Sequence, residues 1–285
     1  MRIAIFADVH GKILLPFKMV SKYNELFDKQ IDLILQCGDL GAFPDLAKLD
    51  KATVRHAKED RDELGFYDDF VNSKPEIQHF LQTLNLNMVC VRGNHEDHDF
   101  LDALEAKDPT ASAFPIDCYK RVFVCKTGHL QKFQKGNIAF SFMGVGRVGD
   151  RKKRPDNKIF IQEYEKIVLN KAIKKNIDIQ ILITHDAASD MTEQGYGMPE
   201  LRSVLDGLIP QYHFYGHTGH PFKEEYDTNE ITKSVKIKEL EFDESGALPF
   251  GCMVVLEVSE NNNLTLEVVN QHFTNQFTKY NWHFL

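Results

Sequence analysis

Cysteine is sparse. The 285 residues include five, at 37, 90, 118, 125 and 252, and no two stand at Cys-x-x-Cys spacing. An odd, scattered set of thiols excludes a disulfide framework and a zinc knuckle. Cys37 and Cys90 sit inside apolar runs, where they read as small buried hydrophobes. Long apolar stretches are missing too: none approaches the roughly 20 residues needed to span a bilayer. The opening segment MRIAIFADVHG has a short apolar run that ends in Asp8 and His10, not the layout of a secretory leader. These absences predict a cytoplasmic protein with reduced thiols and no membrane partner. Basic charge is also short, with 34 Lys and Arg against 42 Asp and Glu and a formal net charge of −8. Indiscriminate nucleic-acid binding needs a basic surface and is disfavoured. No repeat and no linker divides the chain. A single domain over 1–285 is expected, with a charged insertion at about 40–74.

What is present is ordinary globular material, 42% hydrophobic and 27% charged, arranged in a recurring way. An apolar run is followed by a polar cluster. RIAIFA leads to Asp8-Val9-His10-Gly11, and IDLILQC to Gly38-Asp39. LNMVCV leads to Arg92-Gly93-Asn94-His95, IQILIT to His185-Asp186, and YHFY to Gly216-His217. Continuous apolar and β-branched runs fit strands buried on both faces. Between them lie helical patterns at Phe17–Asp28, Pro75–Leu84, Phe160–Lys174 and Pro199–Leu208, two of them opened by proline. Alternating strands and helices predict an α/β protein. Strand-rich stretches at about 119–143, read as a meander, and at about 234–269 add a second sheet. The expected architecture is a four-layer αββα sandwich of two mixed sheets flanked by helices. Ligands in such sheets gather at the carboxyl ends of strands, where all five clusters fall.

The segment VRGNHEDHDF carries more polar groups than a turn requires. Together the clusters offer Asp8, His10, Asp39, Asn94, His95, His185, His217 and His220. Carboxylate, amide and imidazole in this mixture suit Zn, Mn or Fe at a hydrolytic site better than a thiolate-rich structural one. Each element alone is weak. Their order at successive strand ends is the signal.

That order resembles the calcineurin-like metallophosphoesterases. They carry Asp-x-His, Gly-Asp, Gly-Asn-His-Asp/Glu, an isolated His and Gly-His. The counterparts here are Asp8-Val9-His10, Gly38-Asp39, Gly93-Asn94-His95-Glu96, His185 and Gly216-His217, over residues 1 to about 221. The resemblance implies two divalent metal ions, Mn, Fe or Zn with Mn favoured. Asp8 and His10 would hold the first ion, Asp39 would bridge, and Asn94, His185 and His217 would hold the second. Two such ions stabilise the attacking and leaving oxygens of an in-line displacement and lower the pKa of bound water toward about 7. The implied reaction is attack of a metal-activated hydroxide on a phosphate ester. His95 would not be a ligand but would assist the leaving group. Arg92 offers a fork of donors for phosphate, or a buried ion-pair partner. His98 reads as a local surface residue.

Three departures shape the expectation. The last motif reads Gly216-His217-Thr218-Gly219-His220, with its second His one residue late; a bulge at Gly219 would let His220 reach the first metal. Ser/Thr protein phosphatases place an Asp-Arg pair after Gly-Asp to orient the catalytic His, but LGAFPD stands here. That absence leans the substrate toward a phosphodiester, with nucleotides or RNA among candidate partners. A phosphomonoesterase of the protein phosphatase type, a non-catalytic scaffold on the same fold and a structural zinc protein are the alternatives. The insertion is either a solvated helical excursion or a substrate-shaping element. GVGRVG at 144–149 matches a dinucleotide fingerprint in letters only, because DRKKRPD follows where a helix should open. The basic run Arg151–Arg154 reads as a solvated loop or as an anion contact. The aromatic C-terminus FTNQFTKYNWHFL reads as packing.

Overall fold

The computed structural model describes residues 1–152, 154 and 156–285. Lys153, within the basic run, and Pro155 lie outside the described residues. In chain order the strands are β1 (Arg2–Phe6), β2 (Leu33–Gln36), β3 (Met88–Cys90), β4 (Ala113–Pro115), β5 (Val122–Cys125), β6 (Leu130–Lys135), β7 (Ile138–Val145), β8 (Ile181–Thr184), β9 (Tyr212–Tyr215), β10 (Lys223–Tyr226), β11 (Lys233–Lys236), β12 (Val254–Val258) and β13 (Leu264–Val268). The helices are α1 (Leu14–Phe27), α2 (Lys51–His56), α3 (Pro75–Leu84), α4 (His98–Glu105), α5 (Glu163–Lys174), α6 (Pro199–Leu208) and α7 (Gln271–Thr274).

Among the described residues the strands make two mixed sheets, ordered β13-β12-β1-β2-β3-β5-β4 and β10-β11-β9-β8-β7-β6. Their centres are parallel: β1 with β2, β2 with β3 and β3 with β5, then β7 with β8, β8 with β9 and β9 with β11. Antiparallel strands close the edges. The pleat assigns the layers. Ile3, Ile5, Leu33 and Leu35 face Phe142, Ile181, Ile183 and Phe214 between the sheets. Their neighbours Ala4, Phe6 and Ile34 join Phe17, Val20 and Leu81 of the covering helices. On the other side Met143, Val145 and Leu182 meet Leu169, Leu201 and Val204 of α5 and α6. Each of the larger buried side chains contributes about 1.5–3 kcal/mol before chain entropy is counted. The four-layer αββα expectation holds.

Three local expectations change. The meander is not one sheet: β5 pairs with β3, and the chain crosses at Lys126–His129 so that β6 and β7 enter the second sheet. The fifth helix starts at Glu163, because Gln162 and Glu165 form a reciprocal capping box. The insertion is no solvated excursion. Its short helical turns bury Phe66 and Phe70 in the helix-side core, and the pair of Lys12 with Glu63, at 3.1 Å, ties it to the loop after β1. The C-terminal tail packs on it in turn, with Trp282 Nε1 donating to Asp62 at 2.9 Å. Among the described residues no helix is long and apolar enough to cross a membrane.

Candidate metal centre

The parallel strands β1, β2, β3, β8 and β9 point their carboxyl ends to one place. Each is short, so the next residues turn sharply there. Asp8, His10, Asp39 and His217 all have positive φ, at 46°, 39°, 54° and 65°. Backbone of this kind costs about 1–3 kcal/mol per residue and persists only where the surroundings over-determine it. Here the loops lace together. Val9 N and His10 N both donate to the Asp39 carbonyl at 3.0 Å, and Asp8 N donates to the Gly38 carbonyl at 3.1 Å. Glu96, buried, accepts from Leu40 N, Ala42 N and Gly93 N. Two motif glycines exist for close approach. A Cβ at Gly93 would lie 1.9 Å from Asp39 Oδ1, and one at Gly216 would lie 2.2 Å from Asp8 Oδ2.

Two ligand groups result, each with donor atoms within 4.8 Å of one another: Asp8, His10 and Asp39, and Asp39, His185 and His217. Asp39 belongs to both. Asn94 joins the second group, its Oδ1 2.9 Å from His185 Nε2. His185 Nδ1 donates to the Cys37 carbonyl at 2.9 Å. Burial holds this imidazole neutral, near a pKa of about 3, although the Asp39 charge opposes that shift. Its Nε2 therefore bears a lone pair aimed at Asn94 Oδ1 and, at 3.4 Å, at Asp39 Oδ1. Three acceptor atoms converge with no proton between them, which is the arrangement a cation resolves. The carboxylates agree. Burial and the adjacent Asp39 charge push Asp8 well above its usual range, whereas Asp39, despite its own burial, is lowered by the ring of histidines that faces it. A divalent ion relieves such a pair.

His95 stands beside the first group, its ring 5.4 Å from that of His10. Its Nδ1 donates to Asp50 Oδ2 at 2.7 Å, and its backbone N–H donates to Asp39 Oδ1. Burial opposes the charged ring, but the Asp50 bond and the Asp39 charge outweigh it and raise His95 to about 9. Asp50 was not foreseen. It lies in the insertion, caps α2 through Thr53 N, and no motif marks it.

Other expected residues fall elsewhere. Arg92 is buried against Asp102, at 2.6 Å, and Glu105, so it is an ion-pair partner and not a phosphate contact. His98 is not on the surface. It is 6% exposed, 3.3 Å from Arg147, and burial with that cation depresses it to about 3. His220 is not brought into either ligand group. Gly219, with φ 69°, turns the chain outward, and His220 Nε2 lies 3.8 Å from Glu193. Of the segment at 91–100, Asn94 and His95 place side chains at the site and Gly93 leaves room for Asp39; Asp97 caps α4 and Glu96 staples loops.

A two-sheet α/β sandwich with paired oxygen- and imidazole-rich ligand groups at its strand ends defines the class. The comparisons give the family. The family model for calcineurin-like phosphoesterase matches residues 1–221, and the chain belongs to that family. TT1561 of Thermus thermophilus is similar in fold, with TM-score 0.55 and 14% identity over 94% of this chain and 99% of that one. So is GAP50, the anchor in the inner membrane complex of Plasmodium, with TM-score 0.50 and 12% identity over 95% and 84%. No curated protein matches the sequence.

Proposed function

We propose that the protein hydrolyses phosphate esters at a dinuclear metal centre, with a preference for diesters. One observation carries the reading: Asp39 is shared by two ligand groups while a third element, His95, faces the same spot without belonging to either. Asp8 and His10 would hold one ion, Asn94, His185 and His217 the other, and Asp39 both. When bound, the ions supply the nucleophile and neutralise charge on the phosphoryl oxygens. Mn²⁺ is the first ion to try, since an oxygen- and imidazole-rich set does not demand a softer one.

The chain's own groups do the rest. With Nδ1 held by Asp50, His95 presents Nε2 to the substrate and donates its proton to the departing oxygen. The loops fix both ligand groups before substrate arrives, which spares reorganisation. The insertion brings Asp50 to His95 and the C-terminal tail packs on the insertion, so we read 1–285 as one working unit. Five free thiols, four of them buried, suit the reducing cytoplasm. Asp50 does favour a second reading, a phosphomonoesterase, because it supplies the carboxylate that the segment after Asp39 lacked. The scaffold alternative has the opposite difficulty: it has no use for His95 and Asp50.

The test is hydrolysis of 4-nitrophenyl phosphate and bis(4-nitrophenyl) phosphate by protein stripped and reloaded with Mn²⁺, with His95→Ala in parallel. Metal- and His95-dependent cleavage favouring the diester is expected. A monoester preference moves the assignment to a phosphatase. Inertness toward both, with no metal retained, would return the scaffold.

A further inference from the structure

We infer that Glu241, not His220, completes the first metal position; the inference rests on the dinuclear reading above. Glu241 Oε1 lies 3.4 Å from His10 Nε2, the same nitrogen that faces Asp39 Oδ2 at 3.8 Å. Its placement is built in. Leu240, fully buried, donates its N–H to the carbonyls of Ala7 and Asp8 at 3.1 and 3.2 Å, so the segment bearing Glu241 is latched onto the Asp8 loop. A second brace, Lys238 Nζ to the Gly219 carbonyl with Gly219 N to Glu239, ties that segment to the loop whose histidine has turned away. Without Glu241 the first group would have Asp8, His10 and Asp39 alone. Glu241 lies outside both ligand groups as they stand, and rotation of its half-exposed side chain is what would bring a carboxylate where an imidazole is missing. A carboxylate there also lowers the net charge of the pair by one relative to histidine and favours a harder ion.

The experiment is metal analysis of dialysed protein and calorimetric Mn²⁺ titration of wild type, Glu241→Gln and His220→Asn. The expected result is two ions in wild type and a weaker ion whose affinity falls at least about 10–100-fold in Glu241→Gln, with His220→Asn close to wild type. Loss in His220→Asn with retention in Glu241→Gln overturns the inference, as does full retention in both. A wild type that binds fewer than two ions overturns the dinuclear reading itself. Glu241 is at the surface, so the variant folds.

A separate observation concerns the other end. A cavity of about 430 Å³ opens beside His217, with neither His10 nor His95 in its wall. Arg151 lies flat over Tyr196 at 3.7 Å and Arg154 over Phe160 at 3.9 Å, and Lys152 adds a third cation. A guanidinium stacked on a ring keeps N–H edges for oxygen anions, although Arg154 already turns its Nε to Asp150 at 3.5 Å. The departing group belongs near His95, at the opposite end, and a monoester has no other substituent. We propose that the cavity takes the substituent that stays on phosphorus, and that this group carries a phosphate of its own. Binding of thymidine 5′-phosphate and thymidine 3′,5′-bisphosphate by calorimetry to the Mn²⁺-loaded protein tests it. The bisphosphate should bind about tenfold tighter, as expected for one or two partly exposed charge-assisted contacts, and Arg151→Ala/Arg154→Ala should erase that preference. Equal affinities in wild type, or a preference that survives the double substitution, overturn the proposal. Binding of neither ligand sinks it together with the phosphoesterase reading.

Discussion

The two ends of the site are built differently. At the His10 end the surroundings of His95 are braced: the insertion supplies Asp50, Lys12 is buried between Glu63 and Asp60, and the C-terminal tail holds Asp62. At the His217 end the wall is a cavity lined by exposed arginines. Proton transfer tolerates little misplacement, so the proposed donor, His95, suits the end built of packed, hydrogen-bonded elements. Selecting a substrate needs charge and room, which a loop supplies. The contrast teaches that family motifs occupy the shared middle, while this chain's own segments differentiate the ends.

Asp39 belongs to both ends, and its loss should be the most severe. Asp39→Ala is expected to abolish turnover and deplete both ions, read by metal analysis; two retained ions would remove it as the bridge. Next comes the braced end. His95→Ala should lower kcat by about 10²–10⁴-fold with metal content intact, and normal turnover would end its role as proton donor. Glu63→Ala leaves Lys12 buried with only Asp60 at 3.6 Å. Urea denaturation should register a loss of about 3 kcal/mol, and an unchanged midpoint would mean the brace is idle. Asp50→Asn keeps the contact but not its charge. A drop in kcat of about tenfold is expected, with KM little changed and no further loss when combined with His95→Ala. An additive double variant would separate the two residues.

The smallest effect lies beneath the open end. His213, fully buried, donates through Nε2 to Thr184 Oγ1, and the Ser234 hydroxyl donates to its Nδ1. Burial depresses its pKa to about 3, with the nearby Arg202 adding to the shift and Asp227 opposing it. The native state therefore binds fewer protons than the unfolded one below pH ~6.5. The contribution is present above that value and declines on acidification, by at most about 1.4 kcal/mol per pH unit. Denaturation from pH 7 down to pH 5 should show the gap between wild type and His213→Asn shrinking. A constant gap would mean that His213 is protonated in the fold.

Much of this was legible. Helices α3 and α6 begin and end at the residues their prolines and apolar spacing predict. The ligands announce themselves because a strand end needs few polar groups and each cluster had too many. The misreadings share a cause. His98 and His220 are polar residues next to motif residues, as is Arg92, for which the sequence leaves both a phosphate contact and an ion pair open, and sequence proximity says nothing about which face of a turn each occupies. His98 and Arg92 point into a buried cluster with Arg147 and Asp102, and His220 points out to Glu193. Asp50 and Glu241 are ordinary acidic residues in a sequence with 42 of them; nothing local distinguishes them.

The sequence by itself determined the sheets, through apolar runs that must be buried on both faces, and the shared candidate ligands, through carboxylate, amide and imidazole groups gathered at successive strand ends. Tertiary structure alone decided what stands at each end. Asp50 reaches His95 because the insertion's aromatics bury themselves in the helix-side core, and Glu241 reaches His10 because Leu240 bonds to the Asp8 loop. Those placements depend on contacts between distant segments, whose cost in chain entropy is met only when the whole core forms.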